Sequence, residues 1–289
     1  DAQDYMESGT PGRKSTPDGW LNRLLAQLPG AHPPTEAVAF GPTLPRMLEG
    51  PMRASNIATG RAADRPMPID RPIVNAAFDA LYAGDDRLSR TYREGVSARA
   101  HLLADLRQDM IEADHGAPSP VGFAEDTQRL AALIGRDPTV EIAFFDLGGW
   151  DTHVEQGATD GQLANHLRPL GEGLAALARG LGPAWRDTVV VVMSEFGRTV
   201  RENGNRGTDH GHGNVLWVMG GPVKGGRVYG AWPGLAEEAL YQGRDLAITT
   251  DFRSVLAVVL ERHMHLDPRA RAVVFPGAPP APAAVAGLV

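Results

Sequence analysis

The sequence predicts an α/β fold with a mostly parallel central sheet flanked by helices. Three observations carry that prediction. Short apolar runs recur along the chain, and IAFF at Ile142–Phe145 and VVVVM at Val189–Met193 are the plainest. Between these two, Leu163, Leu167, Leu170, Leu174, Leu177 and Leu181 fall at steps of four and three, which is the spacing of one helix face. Each run also ends in a polar, glycine-rich loop, as strands of open α/β sheets do where ligands bind. Strands joined by helices of ten or more residues imply right-handed crossovers, hence parallel pairing.

Taken in order, residues 1–8 read as a helix stopped by Gly9, and TPGRKSTPDG is a turn-rich loop. Trp20, Leu21, Leu24, Leu25 and Leu28 form the stripe of an amphipathic helix over Gly19–Leu28, closed by Pro29 and Gly30. AVAF at Ala37–Phe40 is a short strand. The proline-, glycine- and arginine-rich stretch to Arg71 predicts irregular structure or edge strands. Residues from Ile73 are mostly helical, with a break near Gly84 and Asp85, and form a peripheral helical region over about 73–115. A helix over about Phe123–Ile134 precedes a strand at Val140–Phe145, and one over about Asp160–Leu181 precedes a strand at Thr188–Met193. The leucine stripe of the second helix reads as core. NVLWVMG at Asn214–Gly220 is a third apolar run, VKGGRVYG a hairpin or edge strand, Phe252–His265 a helix and HLDPRARAVVFPG a loop. The chain is expected to form one domain over 1–277, followed by a mobile Ala- and Pro-rich tail, 278–289.

Bulk composition bounds the chemistry. A chain of 289 residues can bury roughly 75% of its unfolded surface, and 43% hydrophobic with 22% charged residues is ordinary globular composition. No apolar run reaches the ~20 residues of a membrane span. The net charge of −7, with no basic cluster, argues against a nucleic-acid partner. Cysteine is absent, so any metal must be held by His, Asp and Glu, which favours zinc, manganese, magnesium or calcium. The opening DAQDYMESG reads as the middle of a helix, so a preceding segment is expected.

The candidate metal ligands are Asp151, His153, Glu195, Asp209, His210 and His212. Asp151 with His153, and His210 with His212, are two apart, so in extended segments each pair faces one side. Glu195 ends the most apolar strand, where a carboxylate needs a metal, an arginine or several donors. Arg198 offers either a structural ion pair to Glu195 or a planar fork for a small anionic substrate. A hydrogen-bonded loop clamp is the alternative reading of the DHGH cluster. His32, His101, His115, His166, His263 and His265 stand in helical or proline-rich contexts and read as surface or satisfied core residues. No P-loop, GxGxxG turn or GxSxG nucleophile elbow is present.

At DAQDYMESG with GWLNR, FFDLGGWDTH, SEFGRTVRENGNRGTDHGHG, TTDFRSVLA and VFPG, the chain resembles the bacterial family called domain of unknown function 1501. That family is similar in fold to the alkaline phosphatase and sulfatase superfamily, whose members hydrolyse phosphate or sulfate esters with one or two divalent metals and a Ser, Thr or modified Cys nucleophile. The resemblance implies a metal-dependent hydrolase. It also implies a first strand and a nucleophile upstream of Asp1, and a periplasmic or otherwise exported location. One departure from the family pattern is that Ser194, Glu195 and Phe196 occupy the place of an Asp-His ligand pair, while Asp209 and His210 come fourteen residues after Glu195; the upstream first strand and nucleophile are the other. A catalytically degenerate binding or scaffolding protein of the cell envelope is the alternative expectation, and a phosphomutase-like transferase a third.

Overall fold

The strand Ala37–Phe40 (β1) organises the core because all four of its residues are at most 1% exposed. Side chains alternate across a strand. Ala37 and Ala39 therefore join one apolar cluster, with Leu24, Leu25, Leu260 and Phe275, while Val38 and Phe40 join the other, with Leu130, Leu133, Leu177 and Leu181. Helices on both faces of a strand buried on both faces make a three-layer α/β arrangement. The structure, a computed structural model, describes residues 2–13, 16–41, 43–58, 72–97, 122–148, 150 and 152–289. The sequence readings at His101, His115 and Asp151, and the helical region beyond 97, lie outside the described residues.

In chain order the elements are α1 (Ala2–Ser8), α2 (Trp20–Leu25), β1, β2 (Ser55–Ile57), α3 (Pro72–Leu81), α4 (helical over 87–97), α5 (Phe123–Arg136), β3 (Ile142–Phe145) and α6 (Gln162–Leu181). Then come β4 (Val189–Val192), β5 (Gly197–Arg198), β6 (His210–Gly211), β7 (Trp217–Gly220), α7 (Phe252–Arg262) and α8 (Pro268–Val274). β2 and β3 flank β1 in parallel, with Val38 opposite Ser55 and Ala143. The expected sheet is thus present but smaller than predicted. Its valine strand is not hydrogen-bonded to it: β4 pairs antiparallel with β7, Val189 opposite Gly220 and Val192 opposite Trp217.

A cavity of about 1750 Å³ explains why the valines are only half-buried. It is lined along one side by all four residues of β3 and along another by all four of β4. The leucine stripe of α6 covers it, so Leu170, Leu177 and Leu181 are core residues, whereas Leu167 is 37% exposed to the gap. The core reading of that stripe holds for the half that meets α5. There Gly173 lets the Phe123 ring approach, and Thr127 donates to the Gly173 carbonyl.

Three further expectations are corrected. Residues 223–230 are irregular, with bends at 226, 227 and 230, rather than a hairpin or edge strand, and Val228 is 92% exposed, because no neighbouring strand among the described residues accepts them. The loop after His265 contains α8, started by the Asp267 cap and Pro268 at its first turn, a combination readable in the sequence as a helix start. The tail expected to be mobile packs instead, burying Val285 and Leu288 against Val258 of α7, with Lys224 donating to the Leu288 carbonyl.

α7 is capped by Asp251, which accepts from the Arg253 amide at 2.9 Å and from its guanidinium at 2.7 Å. Burial works to raise this carboxyl, but the hydrogen bonds from Arg253 and the arginine charge hold it below the usual carboxylate range. A folded-state value below the unfolded one stabilises above about pH 4, and the contribution is lost as pH falls through the folded value. Asp251→Ala is expected to cost about 1–2 kcal/mol near neutral pH, since it removes the cap and strands a buried guanidinium. Urea midpoints should show a smaller difference at pH 3. An equal difference at both pH values would contradict this account.

Candidate functional site

The loop after β3 and the loop between β5 and β6 are stitched backbone to backbone. Glu155 donates its amide to the Asn205 carbonyl, Gln156 to Arg206, and Thr208 to Thr152, at 2.9–3.4 Å. Glu155 and Arg206 both adopt left-handed backbone, uncommon outside glycine, and their side chains form an ion pair. This zipper brings His153, from one loop, beside Asp209 and His210 from the other.

His153 Nδ1 lies 3.0 Å from Asp209 Oδ1. The same oxygen accepts from Asn203 Nδ2 at 3.0 Å, and Asn203 Nδ2 also reaches the His153 carbonyl. The Asn203 hydrogen bond, then that from His153, holds the Asp209 carboxyl below its ordinary value. His210 lies with its ring centroid 5.0 Å from that of His153, and it is stacked on Phe196 at 4.2 Å and 12°. His210 is fixed by β6, because Arg198↔His210 and Gly197↔Gly211 pair across β5 and β6.

His212 turns the other way. Its Nδ1 is 2.8 Å from Asp245 Oδ2, and the Tyr241 ring lies 4.1 Å from the imidazole, centroid to centroid. Asp245 is fully buried and also receives Arg244 through Nε at 2.8 Å and Nη2 at 2.9 Å. That guanidinium, followed by His212, lowers the carboxyl against the effect of burial, and Asp245 in turn raises Arg244.

Glu195 is exposed, hydrogen-bonded by Ser194 Oγ at 3.5 Å, so water solvates the carboxylate for which the sequence demanded a partner. With Ser194, Asp146, Glu7 and Asn214 it lines the end of the cavity where β3 and β4 finish. Burial pushes the Glu7 carboxyl up there. Arg198 donates to the carbonyl oxygens of Thr208, at 2.7 Å, and of Trp150, and its guanidinium lies 4.9 Å from the Phe196 centroid. It thereby ties the two loops together.

Of the six proposed ligands, the structure joins His153, Asp209 and His210, and sends His212 and Glu195 elsewhere. Among the described residues no three His, Asp or Glu side chains converge as a metal-holding group. Sequence reasoning missed Asn203 and Asp245. Asn203 had a turn signal in ENGNRG, whereas Asp245 lies thirty-three residues beyond His212 in a stretch without a motif.

The sequence profile of a family described as "Protein of unknown function (DUF1501)" matches residues 3–274. No curated protein and no solved structure matches the chain.

Proposed function

The chain belongs to the DUF1501 family, and we propose that it is a metal-dependent hydrolase of phosphate or sulfate esters. The observation that carries this reading is the pairing of His153 with Asp209, 3.0 Å apart, beside the His210 ring. A carboxylate on Nδ1 leaves Nε2 as the ligating nitrogen, the arrangement common behind metal-bound imidazoles. Two ring centroids 5.0 Å apart suit imidazoles sharing one cation at about 2.0–2.1 Å per bond. The donor set therefore fits a divalent metal in part. His153 and His210 would hold it, with Asp209 as the carboxylate behind His153, and with Asp151, Glu195 and His212 as the remaining ligands expected from sequence. Such a cation polarises an ester oxygen and lowers the pKa of a bound hydroxyl or water. The role of Arg198 would be to hold the Trp150 and Thr208 loops and to place a positive guanidinium beside the anionic group.

We further infer that the fold is of the alkaline phosphatase type, with β3 and β4 in one sheet and a strand's place between them. The cavity bounded by both strand edges and by the half-covered α6 stripe supports this. Gln3, Met6 and Glu7 of α1 stand on the wall of the same cavity. An exported location is part of the same proposal.

Elemental analysis of the purified protein, with a panel of aryl phosphate and sulfate esters, tests the hydrolase reading. Bound zinc, manganese, magnesium or calcium with ester turnover is expected, and neither metal nor turnover would overturn it. The second reading, a binding protein that kept the cleft and lost the chemistry, is favoured by one contact. Phe196, at the place of a ligand, covers one face of His210. That reading expects no turnover in a protein whose partner affinity survives alanine at His210 and His212.

A further inference from the structure

His212 is the one DHGH histidine that leaves its neighbours, and what it meets is built more firmly than a loop contact requires. Asp245 is 0% exposed, and the peptide around it is pinned from several sides. Its amide and carbonyl both bond Tyr241, at 3.1 and 2.8 Å, and its backbone forms a bridge to Thr199. Val200 donates to the Arg244 carbonyl at 3.1 Å, and Gly213, beside His212, donates to the Leu246 carbonyl at 2.8 Å. The carboxylate is thus held against the segment that carries the histidine. Arg244 occupies Oδ1 and shares Oδ2 with His212, while the Tyr241 ring limits rotation of the imidazole.

We propose that Asp245 is the positioning residue of His212, holding the imidazole as its Nδ1–H tautomer so that Nε2 is the nitrogen offered to a cation or to substrate. A carboxylate can only accept from the ring, so the proton lies on Nδ1 and the lone pair on Nε2. The His212 side chain is 43% exposed while its Asp245 partner has no exposure, so the ring edge opposite the carboxylate faces outward. Tyr241, at 44% exposure, forms one wall of the opening. The His153–Asp209 pair has the same form, but both of its members are half-exposed, so His212 is the more rigidly aimed imidazole. A buried carboxylate fixing an imidazole is the outer-shell device that orients metal-binding histidines. This deepens the metal-dependent reading above and rests on it for the identity of what Nε2 meets.

The test is a ¹⁵N–¹H correlation spectrum of the imidazoles in the intact protein at about pH 8, where an unperturbed histidine is neutral, followed by titration with zinc. Wild-type His212, assigned by its loss in His212→Gln, is expected as the Nδ1–H tautomer, with Nε2 shifting on addition of zinc. Asp245→Asn is isosteric and is expected to give mixed tautomers and zinc affinity reduced about 10- to 100-fold. Arg244→Met keeps the His–Asp bond and is expected to keep the tautomer, which separates positioning from a general loosening of the loop. The Nε2–H tautomer in the wild type would overturn the proposal whether or not Asp245→Asn folds. The Nδ1–H tautomer with no zinc-dependent shift supports the pairing and overturns the metal reading instead.

Discussion

Gly197→Ala is expected to break the β5–β6 pairing and with it the placement of His210, whereas Gly204→Ala, in the same loop system, leaves both intact. A Cβ at residue 197 would lie 1.9 Å from the Gly213 carbonyl oxygen and 2.7 Å from its carbon, and both are backbone atoms that no rotamer change can move. A Cβ at residue 204 would meet nothing within 4 Å. The reason is space rather than backbone handedness, since neither residue is among the glycines with positive φ. Gly211 and Gly213 are hemmed in similarly, against the Arg198 and Leu246 carbonyls at 2.6 Å. Three glycines therefore let three backbone segments approach closely enough to carry His210, His212 and Asp245 together. Forcing one apart costs about 1–3 kcal/mol by the measure of overpacked cores, and a displacement of roughly 1 Å can cost a positioned site 100-fold. Urea unfolding and the imidazole spectrum of both variants give the comparison. Identical midpoints and histidine shifts in the two would show that the loops yield without consequence.

Phe40→Ala should be the most destabilising single truncation in the sheet, at about 3–5 kcal/mol. Phe40 is 1% exposed, at the centre of three parallel strands, and its ring stacks on Phe145 of β3 at 4.7 Å and 21°. Phe123 of α5 meets the same Phe145 edge-on at 5.2 Å, so the cavity left behind lies between rings that cannot collapse without shifting β3 or α5. At roughly 2–4 °C per kcal/mol for domains approaching this size, Tm is expected to fall by about 10 °C. Leu167→Ala is the matched control: it has the same apolar character, but it lies on the part of α6 that faces the open gap at 37% exposure. It should cost under about 1 kcal/mol. A Phe40→Ala loss no greater than that of Leu167→Ala would mean that the packing around β1 is loose.

The sequence located most elements because their signals are local. AVAF is the observed β1 to the residue, and IAFF and VVVV lie within their expected strands. The leucine period found α6, and Gly9, with φ +64, ends α1 as a left-handed stop should. α8 was missed although Asp267-Pro268 announces it, since the short segment lacked a long apolar period. Tail packing had no local signal at all, because Val285 and Leu288 find their partners on α7. Strand pairing was the weakest part of the reading. A valine run has the same appearance whether its neighbour is β3, parallel, or β7, antiparallel, and here it is β7.

The site divides in the same way. Residue types and spacing were enough to single out WDTH and DHGH as the polar ends of apolar strands, and the absence of cysteine confined any metal to imidazole and carboxylate ligands. Which nitrogen meets which oxygen depended on contacts between segments distant in the chain: His153 with Asp209 across 56 residues, Arg198 with Trp150 across 48, and His212 with Asp245 across 33. Two of these contacts depend on how closely two backbones pass: Gly207 lies against the His153 backbone and Gly213 against that of Leu246. Spacing along a chain fixes which face a side chain leaves by, whereas its partner is fixed by the packing that brings another segment to that face.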